Sequence, residues 1–66
     1  MYFIKIQGKV RIPDYIQIRD ENMRLLVYCR ADRPEEALRK AGLERLLDQV
    51  RQAIALQPYG KLIKLD

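Results

Sequence analysis

Apolar and polar residues alternate along the opening of the chain. Tyr2, Ile4, Ile6, Gly8, Val10 and Ile12 hold the even positions, and Phe3, Lys5, Gln7, Lys9 and Arg11 the odd ones. Alternation with a period of two marks a strand with one buried face, so the even positions are expected to meet the core and the odd ones solvent. Gly8 in the middle predicts a bulge or a bend. Pro13-Asp14 reads as a turn. Ile16 and Ile18 alternate with Tyr15, Gln17 and Arg19 and predict a second short strand. Asp20-Glu21-Asn22 is the next turn. Met23, Leu25, Val27 and Cys29 alternate with Arg24, Leu26 and Tyr28 to give a third strand. It is apolar on most of both faces, which favours a central place in the sheet.

The period then lengthens. Leu43, Leu46, Leu47, Val50, Ala53 and Ile54 recur at steps of three and four, one face of an α-helix. Glu44, Arg45, Asp48, Gln49, Arg51 and Gln52 fill the other side. Upstream, Asp32 is placed to cap, with Pro34 in the first turn and Glu35 at the third position of a capping box. Glu35 and Arg39, and Glu36 and Lys40, stand four apart in the favourable order. Ala37, Leu38 and Ala41 form a stripe that is out of phase with the later one, and Gly42 sits at the break, where a C-capping glycine belongs. Leu43 is then placed to fold back onto the first segment. Two readings stay open: a short helix over 34–41 followed by a longer one over 43–57, or one helix kinked near Gly42. Pro58 ends the helical region, because the residue before a proline is pushed away from helical angles. Pro58-Tyr59-Gly60 is a turn, and Lys61 to Leu65 is a last strand that can pair beside the first or the third. The expected fold is α+β, in the order β-β-β-α-β. A three-stranded antiparallel meander is followed by the helical segment and a fourth strand, all in one small domain over residues 1–66.

A chain of 66 residues builds only a marginal core and often leans on a partner or a second copy. Cys29 is the single cysteine, so no internal disulfide can form and a reducing compartment is expected, with the thiol as a buried structural group. The opening residues are broken by charge too soon for a secretory signal, and no apolar run reaches the length of a membrane span. A cytoplasmic protein without membrane insertion is the expectation. The net charge of +4 favours an acidic partner.

Histidine, serine and threonine are all absent. That removes the usual general base, the commonest metal ligand and the hydroxyl nucleophiles, so no catalytic residue, metal site or cofactor is expected, and no enzyme. The candidate site is instead the odd face of the first strand, with Phe3, Lys5, Lys9 and Arg11, joined by Tyr15 and Arg19 of the second. The reading is a basic, non-catalytic protein-interaction module, an accessory, assembly or regulatory subunit of a larger complex. On that expectation, reversing Lys5, Lys9 and Arg11 to glutamate weakens partner capture and leaves the fold intact. The alternative is a single-stranded nucleic-acid binder, since rings among positive charges supply stacking and phosphate neutralisation. A homodimer that buries the apolar flank at the Gly42 phase break is a third reading.

The C-terminal stretch Tyr59-Gly60-Lys61-Leu62-Ile63-Lys64-Leu65 resembles the Gly-Gly-Lys-Ile-Val-Lys-Val type of ending found in the small CpcD-like phycobilisome linkers. Met1 to Ile6 is similar to the first strand of that family. The helical region here is longer than the family's, and the opening hairpin residues differ from it. The resemblance implies a basic linker that sits inside a ring of acidic phycobiliproteins and fixes the assembly of a photosynthetic complex without doing chemistry. It adds Lys61 and Lys64, on the basic last strand, to the partner-binding set.

Overall fold

The computed structural model describes residues 1–65; Asp66, the last residue of the expected domain, lies outside the described residues. The fold is α+β in the order β-β-β-α-β. Strands β1 (Tyr2–Ile6), β2 (Tyr15–Arg19) and β3 (Leu25–Arg30) come first. Helix α1 (Glu35–Lys40), a 3-10 turn at Glu44–Leu46, helix α2 (Leu47–Leu56) and strand β4 (Ile63–Lys64) follow. The strands form one antiparallel sheet in the order β3-β2-β1-β4. The last strand therefore pairs beside the first, where Leu65 N–H donates to Met1 O at 2.7 Å and Gly60 N–H to Lys5 O at 2.7 Å. Phe3, Ile16, Ile18 and Val27 of the sheet meet Leu38, Leu43, Leu46, Val50 and Ala53 of the helical region in a single core, closed by Leu65.

The helical half follows the local signals. Gly42 has φ +72° and divides the region in two. Gly42 N–H donates to Arg39 O at 3.1 Å and Leu43 N–H to Leu38 O at 2.8 Å. That pair of bonds is a Schellman motif, and the buried side chains of Leu38 and Leu43 supply its hydrophobic contact. Two separate helices are present, not one kinked helix. Asp32 does not cap α1: Pro34 occupies the N-cap position without a side-chain bond. The Asp32 carboxylate is held instead by Arg30, at 3.0 Å from Nε and 2.8 Å from Nη2. A bidentate guanidinium outcompetes a lone amide donor for that carboxylate. Glu36 takes both Arg39 and Lys40, and Glu35 reaches across to Arg51 of α2 at 3.4 Å, so the expected Glu35–Arg39 pair is replaced.

The strands depart further from expectation. In β1 the odd residues, not the even ones, face the helices: Phe3 is fully buried and Lys5 is 9% exposed. The reason is register. Residues opposite one another on antiparallel strands share a face, and Phe3 stands opposite Ile18 and Lys5 opposite Ile16. A slip of one residue would reverse both. The strand also stops at Ile6, while the alternation runs on into a loop where Val10 is 91% exposed. Gly8 lies in that loop, and a Cβ there would stand 2.0 Å from Ile12 O, so no larger residue fits the close backbone approach. Strand β3 is at the edge rather than the centre of the sheet: Val27 and Cys29 face the core, while Leu25, Leu26 and Tyr28 are exposed.

Candidate functional site

Both helices contribute to the same core on one side of the sheet, so the opposite side is open. Tyr2, Ile4 and Ile6 of β1 stand opposite Arg19, Gln17 and Tyr15 of β2, and all six are half-exposed on that open face. Gln17 and Tyr15 in turn face Tyr28 and Arg30 of β3, and Tyr2 faces Lys64 of β4. A β-bulge after Ile18 sets Leu25 opposite Arg19, on the open face, where Leu25 is about half exposed. The surface is thus an aliphatic and aromatic field with basic residues set into it.

Its order comes from side-chain contacts within the face. The rings of Tyr15 and Tyr28 lie 5.1 Å apart at 49°, a tilted aromatic pair. They line a shallow cavity of about 250 Å³ together with Ile6, Ile12, Pro13 and Lys9. The Arg19 guanidinium is laid along the strand, donating to Gln17 Oε1 at 2.9 Å from Nη2 and to Met23 O at 2.8 Å from Nη1. The Arg30–Asp32 pair raises the arginine and holds the aspartate below the usual carboxylate range, the hydrogen bond being the larger cause. Both arginines of the face are therefore already engaged within the chain.

Of the residues singled out in the sequence, Tyr15, Arg19 and Lys64 come together on this face. Phe3 and Lys5 do not: they are on its reverse, inside the protein, because the register turns the odd residues of β1 inward. Lys9 and Arg11 leave the strand altogether and sit in the loop that follows it, with Arg11 at φ +69° in the turn closed by Ile12 N–H to Lys9 O at 2.8 Å. Lys61 is exposed in the segment between α2 and β4. Tyr2, Ile4 and Ile6, expected from the sequence to meet the core, complete the face with Tyr28. For Tyr28 the one local signal was the surplus of apolar residues on both sides of β3, which a central position would also have explained.

Lys5 has a structural role instead. Its Nζ donates to Ile54 O at 2.8 Å and lies 4.6 Å from the centre of the Tyr59 ring. Tyr59 donates its hydroxyl to Asp14 Oδ2 at 2.6 Å, and Gly8 N–H donates to Asp14 Oδ1 at 2.8 Å. The Tyr59 hydroxyl first, then the Gly8 amide and the Lys5 charge, lower the Asp14 carboxyl below its ordinary value; the same bond raises Tyr59. Cys29 is half-buried on the helix side, and burial first, then the Glu35 carboxylate, pushes its thiol up and away from reactivity.

No cluster of three or more His, Cys, Asp or Glu placed to hold a metal occurs among the described residues, and no helix there is long and apolar enough to cross a membrane. Comparison of the chain with family models, with characterised proteins and with solved structures finds no match.

Proposed function

We propose that this chain is a non-catalytic protein-interaction module, an accessory or assembly subunit that docks an acidic partner on its open sheet face. The observation that carries this reading is the one-sided sheet. Helices cover one face, and the other keeps Ile4, Ile6, Tyr2, Tyr15, Tyr28 and Leu25 at the surface. Tyrosine-rich apolar fields with arginine at their margins are the composition of protein interfaces. The net charge of +4 and the outward Lys64 favour an acidic counterpart. The likeness of Tyr59 to Leu65 to the CpcD-like linkers supports an assembly role, and Lys64 is the residue of that stretch that shares the face.

The test is capture of companions from the protein's own cells by a tagged full chain, after nuclease treatment. Ile4→Glu with Lys64→Glu puts negative charge at the middle and at the β4 edge of the face and alters no residue of the core, and partner recovery should fall by about tenfold, the equivalent of 1.4 kcal/mol. Undiminished capture by a folded double variant counts decisively against this face.

A second reading rests on the three tyrosines, which could stack bases of single-stranded nucleic acid beside Lys64. The engagement of Arg19 and Arg30 weighs against it, since part of each guanidinium's donor set is already used within the chain. Companions that vanish with nuclease, and an affinity that falls steeply with salt, would favour this reading over the first.

A further inference from the structure

We infer that two copies of this chain associate by antiparallel pairing of their β3 strands about a two-fold axis at Tyr28. The proposal is independent of the acidic-partner reading and rests on the backbone of the sheet edge. Ala31 N–H donates to Asp14 O at 2.8 Å, the bond that opens the β2–β3 ladder. In an antiparallel ladder the residues bonded to one neighbour alternate with those whose N–H and C=O point the other way. Cys29 and Val27, opposite Ile16 and Ile18, therefore bond to β2; Tyr28 presents its N–H and C=O at the free edge and Arg30 its N–H, the Arg30 carbonyl already accepting from Arg33 N–H at 3.2 Å.

The two edges of the sheet are not alike. The β4 edge is two residues long and carries Lys64, a short and charged edge of the kind that resists pairing. The β3 edge is six residues long, with the sequence Leu-Leu-Val-Tyr-Cys-Arg, and has neither proline nor lysine. An open strand of this kind is a template for another strand.

A second copy fits it because the edge is self-complementary. Pairing about Tyr28 sets each Tyr28 against its symmetry mate, beside the Tyr15 ring it already touches at 5.1 Å. Leu26 of one copy comes level with the aliphatic stem of Arg30 of the other, so apolar groups meet on both sides of the axis. A six-residue edge is smaller than the ~1,200 Å² of a stable interface, so the association is concentration-dependent.

The test uses the purified full chain. Sedimentation equilibrium from micromolar to millimolar concentration should show the mass rising toward twice that of the monomer. Amide exchange should slow with concentration at Tyr28 and Arg30, and be slow at every concentration at Val27 and Cys29. Tyr28→Pro removes the outward N–H together with the ring and no bond to β2, so the monomer keeps its ladder and the dimer is lost. Tyr28→Thr keeps the amide and keeps the dimer. A monomer mass throughout overturns the proposal, as does exchange at Tyr28 that ignores concentration, or a folded Tyr28→Pro that still doubles in mass. Should Tyr28→Pro fail to fold, the exchange pattern of the parent decides alone. Because no partner is present, failure here leaves the acidic-partner reading standing, and failure of the capture experiment leaves the dimer standing.

Discussion

Lys5→Met is the substitution that separates a structural lysine from a recognition lysine. The ammonium sits at the C-terminal end of α2, on the carbonyl of Ile54 at 2.8 Å. In a continuing helix that carbonyl would take the N–H four residues on, but residue 58 is a proline and has none. Lys5 thus supplies the missing donor from the centre of the sheet. Its charge is stabilised there by the dipole of the helix end and by the face of Tyr59 at 4.6 Å. A hydrogen bond from a charged donor contributes about 1.5–3 kcal/mol, and without Lys5 the Ile54 carbonyl loses that partner. Methionine refills most of the volume and no longer has to be desolvated as a cation, so the net loss should be about 2 kcal/mol. Lys5→Glu places a carboxylate against a carbonyl and beside Asp14, and should cost about 3–5 kcal/mol. The whole stability of a chain of 66 residues is of order 3–10 kcal/mol, so either change is easily measured. In urea, with a slope of about 1 kcal/mol per molar, Lys5→Met should move the midpoint down by about 2 M. A loss below about 0.5 kcal/mol, the range of an ordinary surface substitution, refutes the capping role. The result also bears on charge reversal at Lys5, Lys9 and Arg11: a loss of capture from the triple variant would include damage to the fold through Lys5.

Two further outcomes follow from the turns and from the polar cluster beside Lys5. Met23 has φ +64° at the last loop position of the β2–β3 hairpin, where Met23 N–H donates to Asp20 O at 2.9 Å and Asp20 N–H to Arg24 O at 3.0 Å. Glycine is the usual residue in that left-handed position, so Met23→Gly should stabilise the fold by about 0.5–1 kcal/mol, and a lower melting temperature would contradict the strain. Asp14 has its folded carboxyl lowered by Tyr59, Gly8 and Lys5. A lowered carboxyl contributes stability that is fully present above about pH 5 and is lost as the pH falls through about 4 and below. Asp14→Asn should flatten that acid limb of a denaturation series, and an unchanged limb would place the acid sensitivity elsewhere.

The two halves of this chain differ in how far they can be read from sequence. The break at Gly42, the fold-back of Leu43 onto Leu38 and the stop before Pro58 are all legible, because helix signals act within a few residues of backbone. The β-β-β-α-β order is legible for the same reason, since each strand and turn announces itself locally. The face of β1 is not. Phe3 and Lys5 on one side and Tyr2, Ile4 and Ile6 on the other both make an acceptable apolar stripe, and the choice falls to whichever set meets Ile16 and Ile18 across the sheet. The edge position of β3 and the pairing of β4 with β1 are likewise settled only when α1 and α2 span the sheet and their leucines close on one side of it. The candidate site inherits this division. Tyr15, Arg19 and Lys64 could be marked from the sequence, but Tyr2, Ile4, Ile6 and Tyr28 became surface only through the register. Helical structure is set by neighbours along the chain, whereas a strand has two equivalent faces, and only partners distant in sequence decide which of them meets water.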